Sequence, residues 1–304
     1  MSYQTLPLVK MHSGGNDYVY LDLVGGAALP EDVDLPRLAA EISDRHFGVG
    51  ADGLILIYRT SSGRLGMRMW NSDGSEGEMC GNGMRCLAAY VYRRGYVSAS
   101  RFEVETRAGV IVPEVRRPSQ GTTPAVVAVE MGPPREVRPV RVGLPTPEAG
   151  EPPGLGVTPP GWAGAELEGT FVSLGNPHLV VPVQDAEAVP LEQVGPVLER
   201  HPLFPQRTNV EFVQVLRPDR LRLRVWERGS GVTLACGTGA GASLVAMVLA
   251  GRSERRATVV VDGGELEAEW APGGPVVVSG EAVEVFEAVY LRPLPRKHRN
   301  HPSQ

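Results

Sequence analysis

The chain has little cysteine: three residues, Cys80, Cys86 and Cys236, among 304. An odd and sparse count excludes a disulfide framework, so a thiol with a task here is a reagent rather than a staple. Long hydrophobic runs are also missing; no stretch approaches the roughly 20 apolar residues of a membrane helix. Met1 to Lys10 holds no apolar core of a secretion signal, and the expected compartment is the cytoplasm. The formal charge of −5 leaves no basic excess, which argues against non-specific binding to nucleic acid or to an anionic membrane. What remains is 42% hydrophobic and 21% charged, the composition of a soluble globular chain long enough for two domains.

Much of the proline lies between Pro133 and Pro160, around VGLPTPEAGEPPGLGVTPPGW. That run has many breakers and no hydrophobic period, so 133–160 reads as a long surface loop. The basic end RPLPRKHRNHPSQ lacks apolar anchors, and 294–304 reads as a flexible tail.

The chain repeats itself. Leu65–Gly95 aligns with Leu221–Gly251 at a constant shift of 156 residues. Seven of 31 columns are identical: Leu65/Leu221, Arg68/Arg224, Trp70/Trp226, Cys80/Cys236, Gly81/Gly237, Gly83/Gly239 and Gly95/Gly251. In each copy alternating apolar residues predict a half-buried strand, followed by a Gly-rich turn, Cys-Gly-x-Gly and an apolar helix stopped by glycine. Gly15-Asn16 matches Gly175-Asn176 more loosely, at a shift of 160, and strand-like RFEVET (101–106) and ATVVVD (257–262) follow the two helices. The fold class expected is α+β: two pseudo-symmetric halves, each a mostly antiparallel sheet wrapped around a central buried helix.

Duplication places Cys80 and Cys236 at equivalent positions, each opening a helix. Unpaired N–H groups and the positive end of the dipole favour a thiolate there and lower an ordinary thiol pKa of about 8.5. The glycines let backbone approach a ligand and leave N–H groups for a carboxylate. Two thiols on either side of one carbon suit inversion of a stereocentre: one removes a proton, the other delivers one to the opposite face. The helix N-termini would stabilise the enediolate that forms between. Cys86 lies on an apolar helix face, with Ala242 as its repeat partner, and reads as a buried hydrophobe. Cys80 and Cys86 are six residues apart, wider than the usual zinc-ligand pair, so no metal is expected.

MHSGGNDYVYLD (Met11–Asp22), WNSDGSEGEMCGNGMRC (Trp70–Cys86), GNPH (Gly175–His178), RTNVEF (Arg207–Phe212) and ERGSGVTLACGTGAGA (Glu227–Ala242) together resemble the diaminopimelate epimerase family. The resemblance spans nearly the whole chain, with the motifs in order. It implies interconversion of LL- and meso-2,6-diaminopimelate, in lysine and peptidoglycan precursor synthesis, with no cofactor. It implies Cys80 and Cys236 as the catalytic pair, with His178 and Glu227 in support. The implied substrate-binding residues are Asn16, Asn71, Asn176, Asn209, Glu227 and Arg228. Gly81-Asn82 and Gly237-Thr238 are the implied backbone donors to the reacting carboxylate. A homodimer is implied as well.

Taken singly, asparagines beside glycine form turns, an exposed Glu-Arg pair contributes little, and a histidine before an apolar run can be a satisfied strand residue. Three positions depart from the family pattern: Ser13-Gly14, where Gly-Leu is common, Gly53 in place of a substrate-binding glutamine, and Val232 in place of glutamate. The competing readings are a same-fold racemase of histidine, lysine or proline, and a non-catalytic binding module. The expected division is 1–120, joined by a returning strand at 283–293, and 121–282, with a substrate cleft between them that closes on binding.

Overall fold

The computed structural model describes residues 3–29, 33–121, 123–146 and 161–293. The 294–304 stretch, and residues 147–160 of the Pro-rich run, lie outside the described residues. The first repeat comprises β1 (Tyr3–Ser13), β2 (Asn16–Asp22), α1 (Leu35–Ser43), β3 (Gly53–Arg59), β4 (Leu65–Asn71), β5 (Glu76–Gly77), α2 (Gly81–Arg93), β6 (Val104–Thr106) and β7 (Gly109–Ile111). Then come β8 (Pro113–Arg117), β9 (Ala125–Gly132) and β10 (Glu136–Gly143). The second repeat runs β11 (Glu166–Ser173), β12 (Pro177–Pro182), α3 (Leu191–Glu199), β13 (Asn209–Arg217), β14 (Arg220–Glu227), β15 (Gly231–Val232), α4 (Gly237–Leu249), β16 (Arg256–Val261), β17 (Gly264–Trp270) and β18 (Val276–Pro293).

The two halves share a pairing scheme. In one, β18 pairs β1, β1 pairs β2, β2 runs parallel to β3, β3 pairs β4, and β4 lies parallel to β6. In the other, β10 pairs β11, β11 pairs β12, β12 runs parallel to β13, β13 pairs β14, and β14 lies parallel to β16. Strand β18 serves both sheets: its first residues pair β17 and β9, its last pair β1.

Two sequence expectations change. Residues 136–143, inside the expected loop, form β10. Val140 and Val142 point into the core while Arg141 and Gly143 face out, and among the described residues β10 pairs only β11, so Pro139 sits on an edge strand where its missing N–H is tolerated. The strand predicted over RFEVET is limited to Val104–Thr106, with Arg101 making an isolated bridge to Glu114.

Each sheet wraps a central helix that buries most of its residues. Helix α4 buries ten of its residues, Leu244, Val245 and Met247 among them, and each such side chain contributes on the order of 2 kcal/mol. Helix α2 buries Met84, Cys86, Leu87 and Val91 in the same apolar cluster. Both helices end at a left-handed glycine, Gly95 (φ +72°) and Gly251 (φ +67°), a conformation residues with a Cβ resist. Both begin at the cysteines: Cys80 and Cys236 are N-caps in extended conformation.

Candidate active site

An N-cap must accept the N–H of the third helical residue, a role that usually falls to an oxygen-bearing side chain. Here sulfur does it. Cys80 Sγ accepts from Gly83 N–H at 3.5 Å and Cys236 Sγ from Gly239 N–H at 3.3 Å. The two caps meet. Asn16 Oδ1 accepts from the Cys80 thiol (3.4 Å) and from Asn82 Nδ2 (3.0 Å). The same Asn82 Nδ2 donates to the carbonyl of Ala235 (3.1 Å), the residue before Cys236. The Glu227 carboxylate is close enough to act on both thiols.

Around Cys80 the partners are mostly neutral. The Tyr18 hydroxyl contacts the thiol. Asn16 is held by its amide to Asp52 Oδ2 (2.7 Å), and Asp52 in turn by Arg45 (3.0 Å). Around Cys236 they are acidic and more deeply buried. Glu211 Oε1 lies 2.7 Å from His178 Nδ1, and both side chains are wholly buried. His178 Nε2 meets Asn176 Oδ1 at 3.0 Å, Asn176 Nδ2 donates to Thr238 Oγ1 at 3.2 Å, and Thr238 Oγ1 lies 3.6 Å from Cys236 Sγ. Because the Asn176 amide nitrogen is spent on Thr238, its oxygen faces the ring and Nε2 must donate. Glu227 accepts from Thr233 at 2.5 Å and contacts the Cys236 thiol.

The sequence argument that helix N-termini lower these thiols is corrected by the structure. Burial pushes Cys80 up, further than the Gly83 N–H and the Tyr18 hydroxyl pull it down, and the Glu227 carboxylate adds to the rise. Cys236 stands well above the ordinary thiol value: burial dominates, the Glu227 and Glu211 carboxylates add, and Thr238 and Gly239 only partly oppose. The dipole acts over one turn, whereas desolvation penalises the whole charge. Burial likewise raises the carboxyls of Glu211 and Glu227. Cys86 is buried in the core and pushed up to about 12.

Asn209 is buried, donating to the Pro177 carbonyl (2.9 Å) and accepting Arg228 N–H (2.9 Å). The exposed Arg228 guanidinium touches only the Gln206 carbonyl (3.2 Å) and forms no ion pair among the described residues. Asn71 bonds Ser75 within its own turn (2.9 Å). Gly81 and Gly237 both stand against Met131 and Arg85, which places the two helix starts side by side. His178 is linked to Cys236 through Asn176 and Thr238, and its other partner, Glu211, also acts on that thiol.

Sequence reading missed Tyr18, Asp52, Arg85 and Glu211. Strand register gives the signal it lacked. Tyr18 lies opposite Gly53 where β2 meets β3, and His178 opposite Asn209 where β12 meets β13. Two residues on, Ile55 faces Tyr20 as Glu211 faces Val180. Tyr18 and His178 are thus equivalent, and so are Ile55 and Glu211. A Cβ on Gly53 would overlap the Trp70 carbonyl oxygen, so this backbone leaves no room for a side chain there. Val232 is exposed. Among the described residues no group of three or more His, Cys, Asp or Glu could hold a metal ion, and no helix is long and apolar enough to cross a membrane.

Comparison with known proteins gives a consistent result. The diaminopimelate epimerase family model matches residues 8–137 and 170–285. The chain is 49% identical to the diaminopimelate epimerase of Pelotomaculum thermopropionicum, over 92% of this chain and 97% of that one. It is 50% identical to that of Moorella thermoacetica, over 91% and 96%. A hydroxyproline epimerase of Agrobacterium vitis shares the fold, with TM-score 0.64 at 14% identity, covering 94% of this chain and 92% of that one.

Proposed function

The chain belongs to the diaminopimelate epimerase family and interconverts LL- and meso-2,6-diaminopimelate, and we propose that it does so by proton transfer between Cys80 and Cys236. The observation that carries this reading is the short chain of hydrogen bonds that runs from the Cys80 thiol through Asn16 and Asn82 to the carbonyl of Ala235, the residue before the capping Cys236 of the equivalent helix.

One sulfur, as thiolate, takes the α-proton, so that an S–H forms as C–H breaks. The other gives its proton to the opposite face. The free N–H groups at the starts of α2 and α4 receive the reacting carboxylate as it takes on enediolate charge. Burial favours the protonated form of both thiols. The substrate's ammonium group brings positive charge that offsets Glu227 and favours thiolate. Glu227 and the His178–Asn176–Thr238 chain support Cys236. Arg228 binds the distal carboxylate, for which its fork is suited, with Asn71, Asn176 and Asn209 among the ligands of the substrate's polar groups.

Two bodies, 1–120 with 283–293 and 121–282, close on the substrate and exclude water. The enzyme works in the cytoplasm as a homodimer. Conversion of the LL isomer to the meso isomer without added cofactor tests the activity. Loss of epimerisation in both Cys80→Ala and Cys236→Ala tests the two-base assignment; a retained rate in either variant would refute it. Identical scattering profiles with and without a substrate analogue would remove the closure.

A further inference from the structure

Arg85 is among the largest wholly buried side chains of the molecule, one turn into α2. Its Nε donates to Ser13 Oγ at 2.9 Å and its Nη2 to Asn82 Oδ1. Its Nη1 is buried with no partner among the described residues. No carboxylate pairs with it among the described residues; the ionisable groups that face it are the thiols of Cys80, Cys86 and Cys236 and the phenol of Tyr20. A guanidinium does not shed its proton, and burying one without a counter-charge costs several kcal/mol. An isolated charge of this kind is retained against that cost only if an anion arrives to meet it.

Its place says which anion. Nη1 lies 4.0 Å from where a Cβ on Gly81 would stand and 3.5 Å from the corresponding point on Gly237. Nε lies 3.1 Å from that point on Gly280, in the strand shared by both sheets. The guanidinium therefore sits behind the first residues of both helices, between the two halves. The repeat supplies only one such charge. At the shift of 156 residues the equivalent position is Gly241, closed over by Val276 and Leu174. The serine that departs from the family pattern, Ser13, is the acceptor that orients it.

We propose that Arg85 is the fixed positive charge of the site, stabilising from behind the helix N-termini the negative charge that passes between the thiolates and the reacting carboxylate. This rests on the two-thiol reading above. Arg85 touches none of the reacting atoms; it acts through Asn82 and through space. Charge in every step of the cycle is negative and stays within reach of it: thiolate, then enediolate, then the other thiolate.

The experiment compares Arg85→Met, Arg85→Gln and Arg85→Lys with the wild type. Three quantities are read: kcat and KM in both directions, thermal stability, and the pH dependence of iodoacetamide alkylation at Cys80 and Cys236 by peptide mass spectrometry. The other charged groups facing these thiols are Glu227 for both and Glu211 for Cys236, and they are unchanged in all variants. Removing one direct oxyanion donor lowers kcat by about 100- to 1,000-fold, so a charge acting from behind the donors is expected to change it by about 10- to 100-fold. Met and Gln are expected to show that loss and to move alkylation of both thiols to higher pH, with Tm equal to or above the wild type. Lys is expected to keep the alkylation profile and recover part of kcat. Wild-type kcat and alkylation in Arg85→Gln would overturn the proposal, as would a fall in Tm with the alkylation profile unmoved. If Met does not fold, Gln against Lys decides. Alkylation reports on Arg85 even if the wild type failed to epimerise, a result that would instead count against the reading of the active site.

Discussion

Consider alanine at Gly239 and, separately, at Gly83. The two glycines are equivalent in the repeat, and each donates its N–H to a capping sulfur. On propensity alone both substitutions stabilise a helix, by about 1 kcal/mol. Their surroundings differ. A Cβ on Gly239 would lie 2.9 Å from Glu211 Oε1 and 3.1 Å from Cys236 Sγ. The carboxylate cannot swing away without leaving its buried partner His178. Carbon atoms pack best at about 3.5–4.0 Å and sulfur is larger, so Cys236 Sγ must retreat by roughly 0.5 Å or more. On Gly83 the nearest atom is the terminal methyl of Ile55, at 2.6 Å, which can rotate, and the Cys80 Cβ is at 3.7 Å. Misplacement by 1 Å can lower a rate about 100-fold, so Gly239→Ala is expected to reduce kcat by roughly 10- to 100-fold. Overpacking of about 1–3 kcal/mol is set against the helix gain, leaving Tm unchanged to modestly lower. Gly83→Ala is expected to reduce kcat less than about fivefold. Exchange of the α-proton with solvent deuterium, measured with melting curves, compares the two. Equal losses in both variants, or wild-type kcat in Gly239→Ala, would refute the argument that the locked carboxylate makes the difference.

Both thiols are raised by burial, so the thiolate fraction grows as pH rises; kcat/KM is expected to climb through the neutral range, and a plateau already reached at acidic pH would contradict this. Glu211→Gln removes a carboxylate that pushes Cys236 up and is not among the groups acting most strongly on Cys80. Alkylation of Cys236 should therefore shift to lower pH while Cys80 stays in place, and parallel shifts would show that Glu211 acts otherwise. Asp52→Asn leaves Asn16 without its charged acceptor, a bond of about 1.5–3 kcal/mol that partial exposure weakens. KM should rise about five- to tenfold with a smaller change in kcat, and an unaltered KM would remove Asp52 from the site.

Composition and the repeat made the architecture legible. Alternation at 65–70 and 221–226, the all-apolar 244–250 segment and the stop glycines at 95 and 251 are local signals, and each corresponds to an element. The thiols were legible because they occupy one column of the repeat. The strand at 136–143 was not, because proline is a breaker along the chain and is harmless only on an edge, which a sequence does not disclose.

By itself the sequence determined that there are two copies of one unit, a cysteine at each helix start, and glycines that let backbone approach a ligand. These follow from spacing and from what each residue type can do locally. The tertiary structure alone decided that the two thiols differ. Parallel strand register puts Tyr18 beside one and the Glu211–His178 pair near the other, and packing of the halves buries Arg85 between them with no paired carboxylate among the described residues. Electrostatics is set by burial and by neighbours distant in the chain, so even the direction of the thiol shifts lay beyond the reach of sequence.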